Sequence, residues 1–338
     1  MKEVLLYHTL QDQKVKCQNC AHYCLISPGK RGICGVRENT EGTLYALNYG
    51  KAAAVNIDPV EKKPFYHFLP GTYSLSFAAV GCNFRCANCQ NWDISQNYKK
   101  EKEIPGQDIS PQELVEMAEK NKLPSISYTY TEPTIFLEYA LDTMKLARKA
   151  GLKNLFVSNG FMSYESAKEV IPYLDADNID IKSFSDAFYV KNCGARLQPV
   201  LDTAKLMKKS GVWVEITTLV IPGLSDSEKD FLGIARFIKE ELGEETPWHI
   251  TQFSGAISWK LQDLPETPVA TLEKAYKIGK KAGLKYVYTG NVGGLPSEDT
   301  FCPKCGALAI DRTYYKIHRY DKKGKCPKCG TNLNIIEN

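Results

Sequence analysis

The chain has 338 residues, room for about two domains at ~150 residues each, or three if some are small. Its 43% hydrophobic and 24% charged residues exclude wholesale disorder, and a net charge of +4 is too weak to argue for nucleic acid by itself. The opening MKEVLLYHTL has too short an apolar run for a signal peptide, and no stretch approaches the roughly 20 apolar residues of a membrane helix, so a cytoplasmic protein is expected.

Twelve cysteines are the informative count. A chain this long buries a core without disulfide staples, and tight clusters of thiols in a cytosolic-looking sequence read as metal sites. The first cluster is Cys17-x2-Cys20-x3-Cys24-x9-Cys34. Thiolates are soft donors, so it suits a structural zinc or, alternatively, iron, as one ion or an auxiliary iron–sulfur cluster. His22 lies between these ligands.

From residue 74 onward, strand and helix patterns alternate. Residues 74–80 are apolar and bounded by Gly81, which reads as a buried strand. A charged loop fills 99–108. Ser110-Pro-Gln-Glu113 then opens a helix to about 122, with an N-cap, a proline at the first position and a capping-box glutamate. Strands are predicted at 125–130, 154–158, 178–182, 212–219, 248–253 and 285–289. Helices are predicted at 134–150, 163–173, 197–210, 227–242 and 267–282. Seven strands joined by six helical crossovers argue for a parallel sheet, either doubly wound or a barrel.

The motif GCNFRCANC places Cys82, Cys86 and Cys89 directly after the first of these strands. Three thiolates at x3 and x2 spacing can hold three irons of a [4Fe–4S] cluster and leave the fourth open, as catalytic metal sites do; a three-thiolate zinc site is the alternative. In parallel α/β folds ligands bind at the carboxyl ends of strands. Polar residues stand at nearly every such end: Glu132, Ser158 and Asn159, Asp180 and Lys182, the Ile221-Pro-Gly223 turn, and Gly290 with Asn291, while His249 lies within a strand. That pattern describes a ring around one pocket. Cys193 stands alone and reads as a buried structural thiol.

Cys302-Pro-Lys-Cys305-Gly and Cys326-Pro-Lys-Cys329-Gly are two knuckles separated by twenty residues. This is a four-thiolate tetrahedral signature, with zinc first and a single iron second. Between the knuckles, Arg312, Lys316, His318, Arg319, Lys322, Lys323 and Lys325 interleave with Tyr314, Tyr315 and Tyr320, a pattern that also suits single-stranded nucleic acid. The division expected is 1–65 for the first four-cysteine segment, 66–299 for the alternating body and 300–338 for the knuckles.

The Cys82–Cys89 motif resembles the radical S-adenosylmethionine (SAM) superfamily, in the branch that contains pyruvate formate-lyase activating enzyme. End to end, the chain is similar to the radical SAM enzymes of the AmmeMemoRadiSam system. The carrying features are the first cysteine group through Gly-Ile-Cys34-Gly-Val-Arg37, GCNFRCANCQNWDIS, TYTEPTIF, VSNGF, DIK, Arg196-Leu-Gln-Pro-Val, VIPG, YTGN and the closing knuckles. The resemblance implies an α/β fold, a partial (β/α)6 TIM-type barrel, with a four-cysteine N-terminal appendage and a zinc-ribbon-like C-terminal one. It implies that Cys82, Cys86 and Cys89 hold a [4Fe–4S] cluster whose open iron takes the SAM amino and carboxylate groups. Glu132 would meet the SAM ammonium, and Lys182, beside Asp180, its carboxylate. Ser158 and Asn159 would meet the ribose, Ile221 to Gly223 the adenine, and His249 and Asn291 the adenosine. One departure is Asn88, where the family has an aromatic residue against adenine; Trp92 or Phe84 would have to compensate.

The implied activity is anaerobic oxidoreductase chemistry. SAM is cleaved reductively to a 5′-deoxyadenosyl radical that takes hydrogen from an unidentified substrate. A flavodoxin- or ferredoxin-type reductant and Memo-like and AMMECR-like companions are expected. One alternative is an activase that makes a glycyl radical on a partner protein. Another, of a different class, is a zinc-binding module that docks nucleic acid or protein.

Overall fold

The computed structural model describes residues 1–100, 103–293, 295–313 and 315–337. Tyr314 of the basic aromatic stretch lies outside them. Eight strands form the main sheet: β1 (Ala54–Pro59), β2 (Tyr73–Ala78), β3 (Ser125–Tyr128), β4 (Lys153–Ser158), β5 (Ala176–Asp180), β6 (Trp213–Val220), β7 (Trp248–Gln252) and β8 (Val287–Gly290). β1 runs antiparallel to β2, with Ala54 opposite Ala78 and Pro59 opposite Tyr73. From β2 to β8 the strands are parallel and adjacent in chain order. That order has no reversal, so the sheet is not doubly wound. β1 lies within the 1–65 segment by sequence, yet it is an edge of this sheet.

The crossovers carry α1 (Pro111–Lys120), α2 (Leu137–Lys149), α3 (Tyr164–Val170), α4 (Leu197–Lys209), α5 (Glu228–Phe237) and α6 (Val269–Ala282). Their starts follow local chemistry. Ser110 Oγ accepts from Glu113 N at 3.2 Å while the Glu113 carboxylate accepts from Ser110 N at 2.7 Å, and Pro111 has no N–H to satisfy. Ser163 and Ser227 cap α3 and α5 more simply, each side chain accepting from the backbone N–H three residues on. The helix expected from 134 begins with a 3-10 turn, Pro133–Phe136, and the one expected to 242 finishes with a π turn, Ile238–Leu242.

Side chains alternate across the strands and sort the two faces. Phe156, Ile179, Ile216 and Trp248 join residues from all six helices in one core. On the other face Leu155, Val157, Ala176 and Trp213 meet Val60, Phe65, Phe68, Leu69 and Ile336. A strap of residues 60–69 thus crosses the face that the helices leave open. Glu215, buried on β6, accepts from Tyr66 N and His67 N at 3.0 Å. Asn178 Nδ2 donates to Pro64 O at 2.8 Å. The C-terminal tail lies on the strap, with Ile336 N donating to His67 O at 2.7 Å and Leu69 N to Ile336 O at 2.9 Å.

Outside this body, the first fifty residues form small antiparallel sheets, one of Tyr7–Thr9, Val15–Cys17 and Leu25–Ile26, another of Lys2–Glu3, Arg37–Thr40 and Thr43–Ala46. Thr300–Phe301, β9 (Leu308–Thr313) and β10 (Lys316–Arg319) form a third.

Candidate active site

The carboxyl ends of β2 to β5 open into a cavity of about 570 Å³. Cys82, Cys86 and Cys89 all face it. Their loop is pinned by neighbouring loops. Asn159 Nδ2 donates to Asn83 Oδ1 at 2.7 Å, and Gln96 Nε2 donates to Phe84 O at 2.7 Å. Arg85 N and Ala87 N donate to Cys193 O and Asn192 O at 2.9 Å, and Lys260 N donates to Ala87 O at 2.8 Å. Burial pushes the Cys82 and Cys89 thiols above their usual range. A buried thiolate needs a compensating cation, and a metal supplies one. Among the described residues no fourth cysteine lines the cavity; Cys193, fully buried against Cys86, stands behind it. Three thiolates with open space beside them suit a cluster whose fourth iron binds another molecule.

Beside the sulfurs the polar groups are ordered by strand. Glu132 follows β3 and caps the 3-10 turn. Its Oε1 accepts from Thr134 N at 3.1 Å and Oγ1 at 2.6 Å, and its Oε2 accepts from Asn159 N at 2.8 Å. Burial nevertheless raises its pKa to about 7. Such a carboxylate gains most from a charged nitrogen donor. Ser158 and Asn159 close β4, and Ser158 Oγ donates to Asp177 Oδ1 at 3.0 Å. Asp180 closes β5 and Lys182 follows it, with Nζ 2.8 Å from Oδ2. Burial opposes the Lys182 charge, but Asp180 and the Cys86 sulfur outweigh it and hold the ammonium's pKa above its usual value.

The structure brings Cys82, Cys86, Cys89, Glu132, Ser158, Asn159, Asp180, Lys182 and Asn291 around this one cavity. It places two expected residues elsewhere. His249 lines an adjoining cavity of about 220 Å³, and its Nε2 lies 2.6 Å from Glu215 Oε2. Ile221 is 1% exposed and lines neither cavity. Of the candidates to replace the missing aromatic, Phe84 lines the large cavity and Trp92 does not. Asn88 accepts from Asn192 Nδ2 at 2.9 Å, which gives its amide a structural partner. Sequence reasoning missed Lys62, Lys63, Tyr130 and Tyr315, which also line the large cavity. Tyr130 has a signal in its place in TYTEPTIF, and Tyr315 reads only as part of the basic aromatic stretch. The Tyr130 hydroxyl donates to Asp58, which also binds Lys63 Nζ at 2.6 Å.

Away from the cavity, Cys302 and Cys329 sulfurs lie 3.6 Å apart, as do those of Cys305 and Cys326, and all four fall within 4.8 Å. Tetrahedral bonds of ~2.3 Å from one ion place sulfurs about 3.8 Å apart, so the quartet fits a single metal. Cys17, Cys20, Cys24 and Cys34 line one small pocket with Asn19, His22 and Arg37. His22 Nε2 lies 2.8 Å from Asn83 O, which joins that pocket to the cysteine loop of the large cavity. The basic stretch between the knuckles is partly spent. Arg312 is 3% exposed, and Arg319 pairs with Asp321 and Glu337.

Residues 78–238 match the model of the radical SAM superfamily. Over 99% of its length the chain is 48% identical to the uncharacterized protein MJ0808 of Methanocaldococcus jannaschii, of which it covers 100%. It is 25% identical to the pyruvate formate-lyase-activating enzyme of Clostridium pasteurianum, over 58% of this chain and 84% of that one. Against the pyruvate formate-lyase 1-activating enzyme of Escherichia coli K12 the identity is 24%, over 65% and 93%. In fold it is similar to Streptococcus suis SuiB, with a TM-score of 0.50 at 13% identity, over 69% of this chain and 51% of that one. The cavity-facing cysteine triad lies inside the matched region, and residues 78–238 belong to the radical SAM superfamily.

Proposed function

We propose that this protein is a radical SAM enzyme in which Cys82, Cys86 and Cys89 hold a [4Fe–4S] cluster and the 570 Å³ cavity holds SAM. The open sheet is then a partial barrel with its ligands at the strand carboxyl ends. The observation that carries this reading is one wall with three thiols, an anionic acceptor and an ammonium in strand order. When bound, a reduced cluster and SAM supply a 5′-deoxyadenosyl radical that takes hydrogen from a substrate. The chain's own residues bind and orient. Glu132 accepts the ammonium of SAM, and Lys182 attracts its carboxylate while Asp180 fixes the Lys182 side chain. Ser158, Asn159 and Asn291 offer hydrogen-bonding groups to the ribose and adenosine. The strap and Tyr315 wall the cavity against water.

The test is anaerobic loading with iron and sulfide, followed by reductant and SAM. 5′-Deoxyadenosine is the expected product. Its absence from a well-loaded preparation, or full activity in Cys86→Ala, would sink the reading. A flavodoxin- or ferredoxin-type protein would be the physiological reductant. The activating-enzyme relatives, aligned over most of their own length, favour a second reading, a glycyl-radical activase. A glycyl radical signal on a partner protein would support it. Companions of the Memo and AMMECR type would act with the enzyme under the first reading.

Zinc is proposed for Cys302, Cys305, Cys326 and Cys329, a metal for Cys17, Cys20, Cys24 and Cys34. At the second site Arg37 Nε is buried without a partner beside the four thiols, so a sulfur-bound anionic centre would give that N–H an acceptor. Metal analysis with an optical spectrum separates colourless zinc from coloured iron at each.

A further inference from the structure

The second cavity, about 220 Å³, continues from the first through shared walls of Lys62, Asn291 and Tyr315. Two carboxylates line it. Glu298, in the 3-10 turn Pro296–Glu298 after β8, is 6% exposed. Its side chain has no hydrogen-bond or ion-pair partner among the described residues. Glu61, on the strap, is 5% exposed. Its Oε1 accepts from Gly71 N at 2.6 Å, and its Oε2 has no partner. Burial raises both carboxyl groups, Glu298 to about 7. An unpaired buried carboxylate is costly, and such groups are retained where something binds them.

The nearby cations are committed elsewhere. Lys62 Nζ lies 2.8 Å from Asp58 Oδ1. Arg312 donates to Glu298 O at 3.2 Å, Thr300 Oγ1 at 2.7 Å and Tyr66 O at 2.9 Å, and its guanidinium sits 4.2 Å from the Tyr66 ring centroid. Arg312 does not line the cavity. Lys62 lines the cavity with its ammonium on Asp58, and Arg312 acts on both carboxylates only through space, so among the described residues neither cation gives Glu298 a hydrogen-bond donor. Tyr66 and Tyr315 add aromatic walls, which attract cations as well as apolar carbon.

We propose that this second cavity is the substrate subsite, and that it takes a protonated amine or amidine held by Glu298, with Glu61 as the further acceptor. The inference rests on the radical SAM reading, because it needs the large cavity to be filled by SAM. A substrate anchored here would reach through the shared wall toward the cluster cavity with its hydrogen-bearing carbon.

Calorimetry on the iron-loaded, SAM-bound protein tests this with phenethylamine, phenylacetamide and phenylacetate as probes. Phenethylamine is expected to bind saturably and phenylacetate not at all. Glu298→Gln should weaken the amine at least about tenfold, which is ~1.4 kcal/mol. Should that variant fail to fold, judged by thermal melting and iron content, Glu61→Gln takes its place with the same expected direction. Equal binding of the acid or amide, no saturable binding of any probe, or an unchanged amine affinity in the folded variant overturns the proposal. 5′-Deoxyadenosine formation is measured on the same preparation. Its absence counts against the radical SAM reading, while the probe series judges the subsite.

Discussion

Arg37 and Glu138 show how a single pair secures the N-terminal segment. Both side chains are 1% exposed, and the guanidinium donates twice to the carboxylate, at 3.1 and 2.8 Å. Glu138 sits on α2 and also accepts from Leu5 N at 3.2 Å. Removing one charge strands the other in a dry site, whereas removing both does not. Arg37→Met should therefore lower unfolding stability by about 3–5 kcal/mol, and Arg37→Met with Glu138→Met should recover most of that, measured by urea unfolding. At the cavity, Glu132→Gln and Lys182→Met should each weaken SAM binding by about tenfold or more, since a charge-assisted hydrogen bond contributes ~1.5–3 kcal/mol. Equilibrium binding of SAM to the iron-loaded variants checks this. The triad and Glu132 were legible as motif positions. The burial that raises Glu132, and the carboxylate that claims His249, were not, because both depend on partners far away in sequence.

At the scale of elements, the segment after β5 supports the cysteine loop. Tyr189–Cys193 is a π-helical turn, and Gly194 follows at φ 70°. A Cβ there would stand 2.5 Å from Arg85 Nε and 2.9 Å from its Cγ, beside the backbone bond that holds the loop. The left-handed conformation itself costs an alanine ~1–2 kcal/mol. Gly194→Ala should lose about that much stability and load less iron per chain than the parent, by metal analysis after reconstitution. The alternating strands and helices were legible to within a few residues because apolar periodicity records which face is covered. β1 and the strap were not. The burial of β1 follows no strict alternation, and the strap is a 3-10 turn at Val60–Lys62 followed by irregular backbone that hydrogen-bonds to Glu215 and Asn178 of the sheet. Periodicity has no means of recording such partners.

Across the whole molecule, His67 joins strap, sheet and tail. Its Nδ1 lies 3.1 Å from Leu333 O, and since a carbonyl only accepts, that nitrogen carries the proton. Its Nε2 then accepts from Tyr288 OH at 2.7 Å. Burial lowers its pKa to about 4. At this group the folded state binds fewer protons than the unfolded state between about pH 4 and 6.5, so the His67 share of stability rises with pH across that window, by on the order of 3 kcal/mol, while Glu132 and Glu298, raised to about 7, act in the opposite sense. Urea unfolding of the parent and of His67→Phe from pH 4 to 6.5 checks this: the stability difference, parent minus variant, should grow with pH. Chelation of the C-terminal metal should lower the melting temperature of the whole chain, because the knuckle sheet and tail supply Arg312 and Ile336 to the strap. The position of Tyr315 has a consequence for biogenesis. This side chain lines both cavities, yet it stands between knuckles that are translated after every strand of the main sheet. That side of the pocket is therefore completed late in synthesis, when the knuckles emerge. On the proposed reading, metal supply would then time the closing of that side of the pocket.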